Sequence, residues 1–297
     1  MSVYPPVRGS AVTVGCLKPE LAEILGLRED VRIIAGTGDN SATAVSTGCI
    51  GNGYPVLSLG TSGVLVFPVN SMDQVTRGKA MLFSADGQGF LYLIQGVVQS
   101  TGESIDWWMR KIQGHDQFGI LESEIDESLV RRSQVLYYPH INGDKTLYSD
   151  PMLRGALIGL SSHTGSAEMY YAIIEGLCLA FRQLMECMGL DLRNIESLKV
   201  VGGGAKSNLW LKTLANVLNV NVEQLDGAVG PGFGIALLAY AADHGDMGIE
   251  ALTAASNVRV EQTFVPDVGM VEIYRRKYER YLRIHKALKY IEGEESI

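Results

Sequence analysis

Several things are scarce in this chain of 297 residues, and each scarcity closes off a class of function. The four cysteines, Cys16, Cys49, Cys178 and Cys187, form no CxxC pair and no other metal-ligand spacing. Cys178 and Cys187 fall on one predicted helix, which argues against their pairing. All four therefore read as reduced core residues of a cytoplasmic protein. The five histidines are scattered and include no HExxH, so no metal site is expected from protein side chains. No apolar run approaches the ~18 residues of a membrane span, and the first residues do not read as a signal peptide. A soluble chain that does not meet a membrane is the expectation. No Lys/Arg-rich run offsets the net charge of −8, which argues against nucleic acid as a partner. An acidic chain of this kind can hold a polyphosphate only through local dipoles, a few cations and a metal ion.

What is present is a substantial core: 46 % of residues are hydrophobic, enough for one large domain or two smaller ones. The chain is organised around residues 35–63, where Asp39 lies between two glycine-bearing loops. The first loop, Gly36-Thr37-Gly38-Asp39-Asn40, follows an apolar run from Val31 to Ala35 that reads as a buried strand. The second, Leu59-Gly60-Thr61-Ser62-Gly63, separates two β-rich runs and reads as a tight hairpin turn. Such a turn offers unobstructed N–H groups and two hydroxyls, which suits a phosphate. Asp39 has two readings from local sequence: a general base for a substrate hydroxyl, or the N-cap of a helix over 40–48.

Before this stretch, Lys18 to Leu25 reads as a short helix with Pro19 in its first turn, and no opening strand is evident. After it, runs at 81–84 and 90–95 extend the hairpin into an antiparallel meander over 56–95. A helix then contains Trp107 and Trp108, which as neighbours cannot share one face. Residues 116–165 read as mostly irregular, and Arg154 reads as a surface residue. The clearest helix covers 166–188, with Glu175 as a solvated or hydrogen-bonded helix acid. Two strand–glycine–helix units follow. In the first, the strand 198–201 leads through Gly202-Gly203-Gly204-Ala205-Lys206 to a helix capped by Ser207. In the second, the strand 220–225 leads through Gly227, Gly230 and Gly232 to a helix over 233–242. Each places backbone N–H groups and a positive helix end at the edge of a sheet, where nucleotides bind. An amphipathic helix over 268–290 closes the chain.

The GGGAKSN turn lacks the GxxxxGK[ST] of a P-loop and the third glycine of a dinucleotide fingerprint. Glu223, 20 residues past Gly203, nonetheless keeps a nicotinamide-binding reading open. A meander followed by β-α-β-α units, with phosphate-type turns in both parts, fits the α/β mixed sheet of the actin-like ATPase (ribonuclease H-like) fold.

Taken in order, GTGDNSATAVSTG, LSLGTSGVLVF, PHINGDKTLYSDPMLRGALIGLS, AIIEGLCLAFRQL and VVGGGAKSNLWLKTLANVL resemble the C-terminal half of the FGGY carbohydrate kinases. The resemblance is nearest to the xylulokinase branch. It implies ATP and Mg²⁺ as cofactors and a ketose or polyol, D-xylulose first, as the small-molecule substrate. Residue by residue, it implies Asp39 as catalytic base and Asn40 as a sugar contact. For nucleotide binding it implies Gly60, Thr61 and Ser62 in the hairpin, Gly102 and Asp106 after it, and Gly203, Gly204, Ala205 and Asn208 at the second turn. Glycerol kinases carry Gln where this chain has Asp106. The family loop GERTPHNDPxARG is replaced here by a stretch from Gly143 to Gly155, with Asp144 for Glu and Lys145 for Arg. The resemblance further implies that residues 1–48 are the tail of an absent N-terminal sugar-binding domain and the hinge carrying the catalytic Asp. Residues 49–297 are then the C-terminal ATP-binding domain. The partner would be the missing N-terminal half, in cis or in trans, and family members are often dimers. The competing expectation is a non-catalytic nucleotide-binding module that acts as a sensor or assembly partner.

Overall fold

The computed structural model describes residues 6–50, 54–73, 75–226, 229–245, 248–256 and 258–293. Gly227, expected in a glycine loop, lies outside the described residues. In chain order, β1 (Thr13–Cys16), α1 (Pro19–Leu25), β2 (Arg32–Ile34) and α2 (Asp39–Ser46) precede the hairpin strands β3 (Val56–Leu59) and β4 (Gly63–Val69). Next come β5 (Lys79–Phe83), β6 (Leu91–Val98) and α3 (Thr101–Asp106), which runs on into a wide π-type turn over Trp107–Gln113. The middle of the chain holds α4 (Phe118–Ser123), α5 (Glu127–Arg132), β7 (Leu136–Tyr138), β8 (Ala156–Ile158) and the long α6 (Ser166–Cys187). The last part comprises β9 (Ser197–Val201), α7 (Asn208–Leu218), β10 (Asn221–Asp226), α8 (Pro231–His244), α9 (Ile249–Ser256), β11 (Arg259–Phe264), α10 (Val268–Tyr281) and α11 (Ile284–Ile291).

Seven strands form one sheet in the order β11-β10-β9-β3-β4-β6-β5. β10, β9 and β3 run parallel, and the hairpin and its neighbours run antiparallel, so the sheet is mixed as expected. One detail departs from a simple meander: β6 sits between β4 and β5. Burial explains it, because β6 is apolar on both faces, whereas β5 is mostly exposed and takes the edge.

Alternate residues of each strand feed two cores. Leu57, Leu65, Ile94 and Val200 face a large core with α3 to α7 and α10, while Val56, Val66, Leu93 and Val201 face a smaller one with α2 and α8. In the large core, α6 approaches its neighbours so closely at Gly176 that a Cβ there would lie 2.2 Å from the Tyr137 carbonyl.

Several expectations need correction. Residues 116–165 are mostly irregular as expected, but they also hold two short helices and the β7–β8 pair. The Gly143–Gly155 loop is held internally: Asp144 N–H donates to Asp150 O (2.8 Å), and Tyr148 stacks on His285 at 3.7 Å. The start of the chain supplies no strand to the main sheet, as expected, but β1 and β2 form a separate antiparallel pair. β2, expected buried, is largely exposed, with Ile33 at 43 %. The final helix breaks after Tyr281. Among the cysteines only Cys49 and Cys178 are buried, whereas Cys187 is half-buried and Cys16 exposed. Trp108 is core and Trp107 half-buried, as adjacency requires. Glu175 is buried in a 2.5 Å ion pair with Lys277. No helix among the described residues is long and apolar enough to cross a membrane.

Candidate active site

The site begins at the hairpin. Leu59 pairs with Gly63, leaving a three-residue loop whose carbonyls are stitched to the start of α3. Gly102 N–H donates to Gly60 O (3.0 Å), and Thr101 N–H to Thr61 O (3.0 Å). The first amides of α3 are thereby spent on the hairpin. Gly102 is needed for that approach, because a Cβ would lie 2.6 Å from Gly60 O. The Ser62 hydroxyl donates to Gln99 O (2.7 Å), so of the two hydroxyls expected to face a phosphate only the exposed Thr61 keeps its freedom.

Opposite the hairpin, β9 ends in Gly202, whose φ of +95° and close approach to Leu59 O demand glycine. A 3-10 turn over Gly203–Lys206 follows, and then α7, whose first turn is capped by Ser207 Oγ accepting from Trp210 N–H (3.2 Å). The two neighbouring glycines differ. A Cβ at Gly203 meets nothing within 4 Å, whereas one at Gly204 would lie 2.8 Å from the Leu59 Cβ and 2.9 Å from the Trp210 ring. Gly204 therefore serves packing, and Gly203 presents its backbone to open space.

Between these turns lies a cleft of about 550 Å³. Of the residues singled out in the sequence, Gly60, Thr61, Gly102, Asp106, Gly203 and Gly204 line it. Ser62, Ala205 and Asn208 do not; the Ala205 side chain is buried in the large core. The sequence reading missed Ile105, Phe118, Glu122, Tyr170, Lys206 and Trp210 on the same wall. Phe118 and Glu122 belong to the segment taken as irregular, and the only signal there was a four-residue spacing on a short apolar run. Glu122 Oε1 accepts from the Tyr170 hydroxyl (3.1 Å) and from Ser207 Oγ (2.9 Å). Burial, reinforced by the Glu122 charge, pushes the Tyr170 phenol well above its usual range, so it remains a donor.

Asp39 is not an N-cap. Gly38 holds that place in extended conformation, and Asp39 is the first helical residue, exposed, with Oδ1 accepting from Asn40 N–H (2.8 Å). A carboxylate in the first turn is favoured by the helix dipole. Helix α2 packs on α8 so closely that a Cβ at Gly234 would lie 1.8 Å from Ala42 O. This pair covers the face of the sheet opposite the cleft, so Asp39 and Asn40 are brought near each other but not onto the cleft wall. Among the described residues no group of three or more His, Cys, Asp or Glu side chains could hold a metal ion.

The profile of the FGGY family of carbohydrate kinases, C-terminal domain, matches residues 56–242. The xylulose kinase of Bacillus subtilis (strain 168) is 28 % identical over 289 residues, which is 97 % of this chain but 57 % of that protein. The xylulose kinase of Staphylococcus epidermidis (strain ATCC 12228 / FDA PCI 1200) is 29 % identical, over 98 % of this chain and 58 % of its own length. The chain thus spans little more than half of the curated relatives it matches. Among solved structures, a kinase from Brucella ovis described as a xyloylose kinase superimposes with a TM-score of 0.82 at 29 % identity, covering 96 % of this chain and 58 % of that one. Its neighbours of this kind carry the actin-like ATPase fold, to which the mixed sheet with helices on both faces conforms. The chain belongs to the FGGY family of carbohydrate kinases and represents its C-terminal part.

Proposed function

We propose that the chain is the ATP-binding part of a sugar kinase that transfers a phosphoryl group to a ketose or polyol hydroxyl, D-xylulose first, giving xylulose 5-phosphate. The observation that carries the reading is the cleft itself. Six residues matched to nucleotide contacts from separate stretches of sequence, from Gly60 to Gly204, line this one cleft. The fit is physical as well: the cleft is large enough for a nucleotide, and Gly203 leaves its backbone open to a ligand. Gly60, Thr61 and Gly203 would hold the phosphates, and Ile105, Phe118 and Trp210 would enclose the base. Bound ATP would supply the phosphoryl group, and an accompanying Mg²⁺ would neutralise its charge. Asp39 takes the proton from the sugar hydroxyl as it attacks, and Asn40 orients the sugar.

The domain boundary falls near residue 48 in this reading, and the partner is the N-terminal half that the relatives carry, in cis or in trans. An apolar surface over residues 14–33 supports this: Val14 is 54 % exposed and Ile24 77 % exposed. A patch of this kind marks an interaction surface. The second reading, a non-catalytic nucleotide module, is favoured by the open position of Asp39 off the cleft wall. Mixing the chain with the N-terminal half of a relative and assaying ATP-dependent phosphorylation of xylulose separates the two. Turnover supports the kinase; nucleotide binding without turnover supports the module.

A further inference from the structure

We infer that Glu122 reads the nucleotide base, selecting the exocyclic amino group of adenine over the 6-oxo group of guanine or hypoxanthine; this rests on the nucleotide reading of the cleft. A carboxylate is out of place in a cleft that takes a polyphosphate unless it lies away from the phosphates. Glu122 keeps aromatic company: it shares one face of α4 with Phe118 four residues earlier, and its hydroxyl partners Tyr170 and Ser207 line the cleft with Trp210. The glycine turns line another part of the cleft, and the other carboxylate of the lining, Asp106, pairs with Arg110 at 3.7 Å.

The two oxygens of this carboxylate are not equivalent. Oε1 accepts two hydroxyl hydrogens, from Tyr170 at 3.1 Å and Ser207 at 2.9 Å, which fills its in-plane capacity. The Ser207 hydroxyl is itself fixed, because it also accepts from Trp210 N–H (3.2 Å). Oε2 receives no hydrogen bond from any described residue. Oε2 is therefore the oxygen open to an N–H from the base. Adenine supplies it through its 6-amino group, whereas a 6-oxo purine presents lone pairs to the same place. Guanine ordinarily meets a carboxylate by a parallel pair of N–H groups, which needs both oxygens, and here one is already filled. Truncation of the acceptor is therefore less informative than inversion of its polarity. In Glu122→Gln, the amide oxygen can keep both hydroxyl bonds while the amide NH₂ turns donors toward the base.

The test measures ADP and IDP (inosine diphosphate) binding to the 297-residue chain by calorimetry, with 2′-deoxy-ADP as a third ligand. The native chain is expected to prefer ADP over IDP by about tenfold or more, the scale of one charge-assisted hydrogen bond. Glu122→Gln is expected to lose ADP affinity about tenfold, gain IDP affinity, and melt within a few degrees of the native chain. Equal ADP and IDP affinity in the native chain overturns the inference without any variant, so a Glu122→Gln chain that fails to fold does not shelter it. An unchanged ADP-to-IDP ratio in a folded Glu122→Gln, with 2′-deoxy-ADP binding weakened in the native chain, overturns it in favour of ribose contact. Binding of no nucleotide at all overturns both this inference and the nucleotide reading of the cleft, and so distinguishes the two failures.

Discussion

The strands that carry the cleft and the strands at the start of the chain are comparably apolar in sequence, yet they end in opposite states. β3 and β9 are buried on both faces between two cores, with Leu57 and Val200 fully enclosed. β1 and β2 form a two-stranded pair whose residues are mostly open to solvent. A two-stranded sheet is marginal by itself. This one is tied down by a few contacts: Ser10 and Ala11 donate to Ser84 O and Ala85 O (2.8 and 2.9 Å), and Arg32 pairs with Asp243. The cleft half therefore carries its own packing partners within the chain. The N-terminal segment shows apolar side chains that the described residues do not cover, which supports the proposal that it meets another domain.

The largest expected effect breaks the comparison at the level of function. Positioning a phosphoryl donor and a hydroxyl in line accounts for roughly 7–11 kcal/mol of barrier lowering. The chain alone is expected to show negligible xylulose phosphorylation, and supplying an N-terminal half should restore it. In the restored enzyme Asp39→Asn should keep ADP affinity and lower kcat by about 10²-fold or more. Strong activity from the chain alone would show that the open segment needs no partner.

Next in size is the buried pair beneath the closed half. Burial pushes the Glu175 carboxyl up, and Lys277 at 2.5 Å pulls it back without cancelling the shift. Lys277→Met leaves that carboxyl uncompensated and should cost about 3–5 kcal/mol by denaturant unfolding at neutral pH. The sign with pH follows from a folded pKa above the unfolded one. The folded state holds the proton more tightly, so the stability is present below the ordinary glutamate range and lost as pH rises through the raised folded pKa. The loss in Lys277→Met should therefore shrink on acidification, and a pH-independent loss would contradict it.

A paired substitution sharpens the contrast directly. Leu57→Ala in the closed half should cost about 2–5 kcal/mol. Ile24→Ser in the open segment should leave the melting of the isolated chain unchanged, within about 0.5 kcal/mol, yet weaken association with the N-terminal half. A large loss of stability from Ile24→Ser alone would mean that the segment is already part of a core.

The smallest effect lies within the closed half. Gly204→Val drives a side chain into Leu59 and Trp210 and should cost about 1–3 kcal/mol through overpacking. Gly203→Val projects into open space, so it should leave thermal unfolding unchanged while weakening ADP binding in calorimetry. The reverse pattern would move the nucleotide to the other side of the turn.

Much of this was readable from the chain alone, because it is encoded over short distances. The hairpin at Gly60–Gly63, the glycine turn after β9, the Ser207 cap and the helix start at Asp39 all follow from turn chemistry and period over a few residues. Matching those local units in order was enough to indicate the fold and the family. What the sequence did not reveal is decided by contacts between residues far apart. The sequence position of β5 does not show that β6 displaces it to the edge; the difference in burial does. The Ser62 hydroxyl looks free for a ligand until the Gln99 carbonyl takes it, and only the packing shows that Gly204, which lines the cleft, has Leu59 and Trp210 where a side chain would go. Glu122 is an ordinary helix acid in sequence. It becomes a directed acceptor only where α6 brings Tyr170, and the start of α7 brings Ser207, to the same oxygen, because hydrogen-bond direction is fixed by tertiary neighbours and not by chain order.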